Sequence, residues 1–298
     1  MKAMKKLRFA LFGNVFQAKK SASVAALLRL LSERGAEVQV DESFCRFLSS
    51  ELCLEMPAGV RILSGDDFDA DVAVSMGGDG TFLETARRVG AKGIPILGVN
   101  MGRMGFLADL SPEELPTVVD QVCEGRFLLE ERCVLQLAYD HGAPEGYPFA
   151  LNEVAVLKRD VSSMISIRVE VNGEYLTTYQ ADGLIVSTPT GSTGYALSVG
   201  GPIMQPGSRT LGLTPVAPHS LTVRPITLTD DAEVCMAVSA RNHRFLVSLD
   251  GRSEKCGEDV RLTIRRAPYT IKVLKRPGQN FFRTLREKLM WGTDVREK

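Results

Sequence analysis

The chain has 298 residues, of which 44% are hydrophobic and 24% are charged, a composition typical of a globular protein with room for two domains. Its 36 Lys and Arg residues balance its 36 Asp and Glu residues, so the formal net charge is zero. A nucleic-acid surface would require a basic excess or patch, and no apolar run has the length of a transmembrane helix. We therefore expect neither a nucleic-acid partner nor a membrane partner.

The cysteines and the N-terminal segment indicate in which cellular compartment the protein is expected. The six cysteines form no CxxC pair and have no His partner at zinc spacing. We interpret them as reduced, mostly buried thiols of a cytoplasmic protein. The apolar stretch at 7–12 is too short for a signal peptide and lacks a cleavage site before Lys19. It predicts a first β-strand instead.

Strand-like and helix-like segments alternate in the first third of the chain. Helical patterns at 21–34 and 81–88 separate β-type runs at 7–13, 37–40, 70–75 and 94–99. This alternation predicts a parallel sheet with right-handed crossovers. Ligands of such sheets bind outside the carboxyl ends of the strands, where the loops 76–80 and 100–105 would meet.

The pattern changes to short β-rich segments after a helical stretch at 111–125. Several of them alternate, and Asn172-Gly173 is a strong hairpin signal. We predict an all-β sandwich domain over 119–275, with strands at 132–139, 150–158, 165–171, 175–180, 184–188, 221–228, 233–238, 245–249, 260–265 and 270–274. The amphipathic stretch 281–291 is expected to pack back on an α/β domain formed by 1–118 and 276–298.

The most informative segment runs from an apolar strand through Gly77-Gly78-Asp79-Gly80 into a helical pattern. Glycines let the backbone approach a ligand closely. A helix that begins at Gly80 or Thr81 would point free N–H groups at the turn, which is a ready anion site beside one carboxylate. The alternative is a structural βα turn in which Asp79 is the helix N-cap.

Two further features could carry chemistry. The hydroxyl-rich loop (residues 187–193) follows an apolar strand and could bind phosphate, ribose or base edges, with Tyr195 available to stack on a base. Its alternative is a solvated Ser/Thr loop. Asn152-Glu153 interrupts an apolar run, so one of the two side chains could point inward. The alternative there is an edge strand or a bulge.

Taken together, these motifs resemble the NAD kinases in order and spacing: the GGDGT turn at 77–81, the pair Asn152-Glu153, and the segment from Asp182-Gly183 through 188–195 (TPTGSTGY). The stretches 98–107, 200–203, 218–226 and 250–251 are also similar to that family, so the resemblance covers nearly the whole chain. It implies an N-terminal α/β domain, a β-sandwich domain and a C-terminal tail that returns to the first domain. The chain departs from the family at Gly194 (often Ala), Gln180 (often basic) and Arg252 (often Gln in bacteria), whose role stays open.

The resemblance implies transfer of the γ-phosphoryl group of ATP to the 2′-hydroxyl of the adenosine ribose of NAD, with a divalent metal ion, most simply Mg²⁺, whose ligands the sequence does not name. Asp79 would contact that hydroxyl as base or orienter, and Gly80 would hold phosphate oxygens. Asn152 and Glu153 would hold adenine and ribose hydroxyls, and Asp182 would accept from a ligand amide or amine. The dinucleotide would be wrapped by Thr193, Gly194, Tyr195, Ala196, Leu197 and Ser198.

Since a neighbouring subunit contributes to the site in relatives, a homo-oligomer, dimer or tetramer, is expected. His219 could line the site or be a turn residue. Two rival functions remain open: a lipid kinase of the diacylglycerol or sphingoid type, which would share the GGDGT turn, and a non-catalytic NAD(P) sensor. The hydroxyl-rich loop favours a polar acceptor over a lipid, and the intact Asp79 argues against a sensor.

Overall fold

The computed structural model describes residues 6–13, 21–102, 105–142, 146–160 and 163–292. The chain divides into two compact units, residues 1–131 with 271–298 and residues 132–270. These boundaries differ from the expected 118/119 and 275/276. The difference arises because a helix over Leu115–Cys123 lies wholly in the first unit, and strands over Leu128–Arg132 and Ile271–Lys275 join the sheet of that unit.

The first unit is an α/β structure around one sheet. Its strands are β1 (Arg8–Gly13), β2 (Glu37–Asp41), β3 (Arg61–Leu63), β4 (Val72–Gly77), β5 (Ile96–Asn100), β6 (Leu128–Arg132) and β19 (Ile271–Lys275), in the order β3-β2-β1-β4-β5-β19-β6. Neighbouring strands from β3 to β19 are parallel. Its helices are α1 (Ser21–Glu33), α2 (Glu42–Ser50), α3 (Asp79–Val89), α4 (Leu115–Cys123) and α6 (Phe281–Leu289).

Helix α1 shows how the apolar pattern builds the core. Its four periodic residues Val24, Leu27, Leu28 and Leu31 are all buried in one cluster with apolar residues of β1, β2 and β4. Burying each such side chain contributes about 1.5–3 kcal/mol. The spacing that predicted this helix is therefore also what holds it against the sheet.

The strand order reverses between β1 and β4. From β1 the sheet grows through β2 to β3 on one side, and through β4 and β5 on the other. In open α/β sheets the crevice at the carboxyl ends of the strands at such a switch point is the usual ligand site. Strand β4 ends at Gly77, so the glycine turn (residues 77–80) lies at that crevice.

The C-terminal tail packs back on the first unit, which confirms that part of the predicted fold. Lys275 donates to Asp109 and Arg276 donates to Glu114, both within the first unit. Strand β19 was expected in the β-sandwich, however, and the structure places it beside β5. A short apolar strand carries no signal for which sheet it joins. Helix α2 and strand β3 were not expected.

The second unit consists of two antiparallel six-stranded sheets. One has the order β11-β10-β15-β18-β7-β8, with β7 (Leu135–Tyr139), β8 (Phe149–Ala150), β10 (Ile165–Val171), β11 (Glu174–Ala181), β15 (Val234–Ser239) and β18 (Arg261–Arg266). The other has the order β14-β13-β12-β9-β16-β17, with β9 (Glu153–Lys158), β12 (Gly183–Ser187), β13 (Thr210–Val216), β14 (Ile226–Thr229), β16 (Arg244–Leu249) and β17 (Arg252–Gly257). A single core of buried residues from both sheets forms the predicted sandwich. A short helix, α5 (Tyr195–Ser198), follows β12.

Strand β13 is the largest omission from the expected strands. Its sequence contains Gly212 and Pro215, residues that argue against a strand interior, yet β13 lies between β12 and β14. The strand expected at 221–228 is reduced to β14.

The cysteines differ in part from expectation. All six are free, but only Cys45 and Cys256 are buried, while Cys53 is exposed. The expectation of mostly buried thiols is therefore wrong. Among the helices within the described ranges, none combines the length and apolar character needed to cross a bilayer.

Candidate active-site residues

The glycine turn has the local geometry of an anion site. Helix α3 begins at Asp79, one residue earlier than expected, and Gly78 is its N-cap in an extended conformation. The N–H of Phe82 makes the first helical bond, to the oxygen of Gly78 at 3.1 Å. The N–H groups of the preceding turn have no intrahelical partner, and the helix dipole places partial positive charge there.

Asp79 does not cap its own helix, so the N-cap interpretation is wrong. Its carboxylate instead accepts hydrogen bonds from the backbone N–H groups of Phe106 at 2.8 Å, Leu107 at 2.9 Å and Ala108 at 3.2 Å. The side chain thus holds the loop that follows β5 against the glycine turn. Both segments lie in the first unit.

The glycines around this carboxylate fall into two groups. A Cβ at Gly105 would lie 1.9 Å from Asp79 Oδ1, and a Cβ at Gly77 would lie 2.1 Å from Thr81 Oγ1, so packing excludes side chains there. At Gly78 and Gly80 a Cβ would meet no atom of the described residues within 4 Å, and neither residue has a positive φ. Packing and backbone geometry do not account for these two glycines, whereas close approach of a ligand does.

The Asn152-Glu153 pair is fixed at the start of β9 in the second unit. The Asp250 carboxylate accepts from the backbone N–H groups of Leu151 at 2.7 Å, Asn152 at 2.8 Å and Glu153 at 3.1 Å. The backbone N–H of Thr188 donates to the backbone carbonyl oxygen of Asn152 at 2.9 Å. Strand β9 lies between β12 and β16, so the edge-strand interpretation is wrong.

Both side chains of the pair carry buried acceptors. Asn152 Oδ1 and Glu153 Oε2 are buried and have no hydrogen-bond partner within the described part of the chain. Burial and, after it, the charge of Asp250 together raise the pKa of Glu153 to about 7, although the backbone N–H of Tyr195 opposes the shift. An unmatched buried acceptor costs about 1–3 kcal/mol, so donors of a bound ligand would stabilise this arrangement.

The loop after β12 approaches the same two side chains. A Cβ at Gly194 would lie 3.2 Å from Glu153 Oε2 and 3.5 Å from Asn152 Nδ2. Tyr195 beside it is 38% exposed, whereas Ala196 is buried against Ala155 and Ile185. The remaining residues expected here are exposed or half-buried: Thr193, Leu197 and Ser198.

The hydroxyl-rich loop mostly serves the fold. Thr188 Oγ1 donates to the Leu151 oxygen at 2.6 Å, and Ser192 Oγ donates to the Pro189 oxygen at 2.7 Å and accepts from the Met204 N–H at 2.9 Å. Thr190 Oγ1 accepts from Arg132 at 3.4 Å. Thr188, Thr190 and Ser192 are buried, so these three hydroxyls stabilise the loop itself. Thr193 is half-buried rather than enclosed.

Asp182 lies at the other end of β12 from this loop. It forms an ion pair with Lys158 at 2.7 Å, while Glu153 pairs with Ser187 at the far end of the strand. At about 3.3 Å per strand residue, some 16 Å separate the two ends. One chain therefore does not bring Asp182 to Glu153. His219, near Asp182, is exposed, and its backbone N–H donates to the Gln180 oxygen at 2.8 Å.

Sequence reasoning missed the supporting roles of Asp250 and Arg252. The Arg252 guanidinium donates to the backbone carbonyl oxygens of Tyr147 at 2.9 Å and of Phe149 at 2.6 Å. It therefore stabilises the segment that enters β8. Asp250 accepts hydrogen bonds from backbone N–H groups that precede it by 97 to 99 residues in the sequence. Asp250 has a φ of 48° and forms a turn with Gly251. In the sequence, the Asp-Gly pair is notable only for its similarity to the family.

No group of three or more His, Cys, Asp or Glu side chains within the described residues is arranged to hold a metal ion. In this structure Asp79 also uses both oxygens for backbone N–H groups. A helix N-terminus at a glycine turn and buried amide and carboxyl acceptors are both typical of an enzyme that acts on a nucleotide.

Comparison with known proteins agrees with this class. Residues 12–127 match the model of the ATP-NAD kinase N-terminal domain, and residues 151–276 match that of the ATP-NAD kinase C-terminal domain. The NAD kinase of Bacteroides fragilis is 58% identical over 97% of this chain and 100% of its own length. That of Porphyromonas gingivalis is 41% identical over 98% of this chain and 100% of its own.

Solved structures show the same fold. Yeast NADH kinase complexed with NADH has a TM-score of 0.88 at 21% identity, covering 98% of this chain and 90% of its own. The Archaeoglobus fulgidus NAD kinase in complex with ATP has a TM-score of 0.74 at 25% identity, covering 95% of this chain and 99% of its own. The chain belongs to the NAD kinase family.

Proposed function

We propose that this chain transfers the γ-phosphoryl group of ATP to the 2′-hydroxyl of the adenosine ribose of NAD, giving NADP and ADP. The observation that carries the proposal is the pair of buried acceptors Asn152 Oδ1 and Glu153 Oε2, which have no partner among the described residues. Glu153 Oε2 lies against Gly194 of the loop after β12. A nucleoside supplies matching donors. Family membership and the ATP-bound relative support the donor.

The glycine turn would bind the donor phosphates. The N–H groups of Gly80 and its neighbours would hold phosphate oxygens, and the open space at Gly78 and Gly80 would let those oxygens reach the backbone. Phosphoryl transfer has a loose transition state, so catalysis depends mainly on positioning and on stabilising charge.

Asp79 would orient the attacking hydroxyl. A carboxylate has about four acceptor sites, and three backbone N–H groups already donate to this one. The remaining site suits a hydrogen bond from the 2′-hydroxyl. The ribose oxygen forms its bond to the γ-phosphorus as the bond from that phosphorus to ADP breaks, and the hydroxyl proton passes to Asp79 late.

The second unit would bind the acceptor. Asn152 and Glu153 would hold adenine and ribose hydroxyls, and Tyr195 would stack on a base. Thr193, Gly194 and Ser198 would line the path of the dinucleotide, while Ala196 and Leu197 would contribute backbone groups. Asp182 would accept from an amide or amine of the ligand of a neighbouring subunit, a role supported by its position at the opposite end of β12 from Glu153.

The described residues do not fit an all-protein Mg²⁺ cage. Mg²⁺ is commonly held by substrate phosphates and water with one or two carboxylates, so we propose that the metal enters with ATP. We further propose a cytoplasmic homo-oligomer. The six free cysteines support the compartment, and the position of Asp182 supports the assembly.

The activity is tested by incubating the protein with Mg-ATP and NAD and measuring NADP with an NADP-specific dehydrogenase. Parallel reactions contain NADH, diacylglycerol or sphingosine as acceptor. NADP formation with no lipid phosphate supports the proposal. Lipid phosphate would indicate a lipid kinase, and binding of NAD without turnover would indicate a sensor.

The shared site is tested by mixing subunits. Asp79→Asn and Asp182→Ala variants, each inactive alone, are unfolded, mixed and refolded together. Recovery of activity would support a site completed by two subunits. In a mixed dimer, the intact Asp79 of one subunit would then be combined with the intact Asp182 of the other. A mixture that stays inactive although each variant refolds and oligomerises would contradict it.

A further inference from the structure

Lys288 is half-buried, and its ammonium group lies inside the protein without a counter-charge at bonding distance among the described residues. It lies near the end of α6, and its ammonium nitrogen is buried with no hydrogen-bond partner within the part of the chain that the structure describes. A lysine this close to a helix end could extend its charged group to water. An enclosed, unpaired ammonium is costly, so its position needs an explanation.

The side chain points toward the glycine turn. Lys288 Nζ lies 5.0 Å from the centroid of the Phe106 ring, and the backbone N–H of Phe106 donates to Asp79 at 2.8 Å. Burial lowers the pKa of Lys288, while the charges of Asp79, Asp109 and Glu287 oppose this shift and that of Lys275 adds to it. These groups all belong to the first unit.

The neighbouring cation behaves differently. Lys275 is buried and donates directly to Asp109, which makes it part of the internal structure. On α6 itself, Arg283 pairs with Glu287 at 2.7 Å. Lys288 Nζ instead has the face of the Phe106 ring beside it and no hydrogen-bond partner among the described residues. It lies next to a turn that has no cationic side chain between Gly77 and Thr81.

We infer that Lys288 binds the phosphate groups of the donor at the glycine turn, so that the C-terminal helix supplies the cation that the turn lacks. The inference rests on the proposed function for the identity of the donor. An ammonium makes charge-assisted hydrogen bonds with phosphate oxygens, and such an anion would satisfy Nζ. The N–H groups of α3 would hold the same phosphates from the other side.

The test compares Lys288→Gln with Lys288→Arg and with Arg286→Gln. Arg286 is exposed on the same helix turn, so its variant removes an equal charge from the same helix end. Calorimetry measures the affinity for inorganic tripolyphosphate, and steady-state kinetics measures KM for ATP and for NAD. Thermal unfolding of all variants monitors the fold.

We expect Lys288→Gln to weaken tripolyphosphate binding and to raise KM for ATP by about tenfold or more, with KM for NAD within about twofold of wild type. Lys288→Arg should restore most of the affinity, and Arg286→Gln should match wild type. A merely structural role would raise KM for ATP and KM for NAD together, whereas phosphate binding by Lys288 should raise KM for ATP alone.

The inference is overturned if Lys288→Gln binds tripolyphosphate as Arg286→Gln does, if wild type does not bind it, or if KM for both substrates rises together with a lower unfolding temperature. Failure of the proposed function gives a different result. Tripolyphosphate binding would still depend on Lys288, but ATP and NAD would give no NADP.

Discussion

The backbone N–H of Glu153 donates to the Asp250 carboxylate at 3.1 Å, and the charge of Asp250 helps to raise the pKa of the Glu153 side chain to about 7. Burial is the larger cause of this shift, and the residue that positions the Glu153 backbone adds to it. The folded protein binds a proton at Glu153 more tightly than the unfolded chain does. Stability from this group is fully present below the ordinary pKa of 4.5 and is lost as the pH rises toward 7.

Glu153→Gln should remove this pH dependence because glutamine is neutral throughout. Wild type should lose about 2 kcal/mol of stability between pH 5.5 and pH 8.5, and the variant should not. The stability of Glu153→Gln relative to wild type should therefore be about 2 kcal/mol higher at pH 8.5 than at pH 5.5. Urea unfolding at the two pH values measures the difference. The exposed Glu174 provides the control variant Glu174→Gln. Parallel behaviour of the two variants would contradict a raised pKa at Glu153.

Removal of the Glu153 carboxyl should also weaken NAD binding. Glu153→Ala leaves the ribose or adenine donors of the ligand without their acceptor, which costs about 1–3 kcal/mol. Titration calorimetry with NAD measures the loss, and Mg-ATP binding in the same variant is the control. An unchanged NAD affinity would show that Glu153 does not contact the ligand.

Asp79→Asn should affect both turnover and folding. The amide group must face either the Phe106 N–H or those of Leu107 and Ala108, which places donor against donor and costs about 1–3 kcal/mol of unfolding free energy. We expect turnover to be nearly abolished and NAD affinity to stay within about tenfold. Asp67→Asn, at an exposed position, is the control. Full activity in Asp79→Asn would end its proposed role.

Two glycines of the turn region should respond in opposite ways. Gly105→Ala places a Cβ 1.9 Å from Asp79 Oδ1, so it should expel the carboxylate from the loop and lower the unfolding temperature. Gly80→Ala meets open space near the start of α3, and alanine favours a helix by about 1 kcal/mol over glycine.

Gly80→Ala should therefore leave stability equal or higher while raising KM for ATP, because the new methyl group occupies the side from which phosphate approaches. Thermal unfolding and initial rates separate the two effects. If Gly80→Ala keeps the KM of wild type, the glycine is not needed for donor binding.

Arg252 should matter for stability alone. Arg252→Met removes two charge-assisted hydrogen bonds to the Tyr147 and Phe149 oxygens, and we expect a loss of about 2–4 kcal/mol in unfolding free energy. KM for both substrates should stay at wild-type values below the unfolding temperature. The exposed Arg265 is a suitable control position. A selective rise of KM for NAD would instead place Arg252 in the binding site.

The sequence predicted local structure well where one face of an element is buried. The spacing of Val24, Leu27, Leu28 and Leu31 correctly indicated a helix against a sheet. Long-range pairing had no such signal. Nothing in residues 271–275 indicates that they insert beside β5, and Asp250 is remote in sequence from the N–H groups it accepts. The hydroxyls of Thr188 and Ser192 matched a binding loop in composition, yet their partners lie inside the fold.

The position of β19 sets an order of events during synthesis. This strand lies inside the first sheet, between β5 and β6, although it is made after the whole of the second unit. Residues 132–270 can complete both sheets of their unit before that strand leaves the ribosome. The unit that contains the glycine turn is then the last to close, so translation that stops before residue 271 leaves its sheet with an open interior edge next to β5.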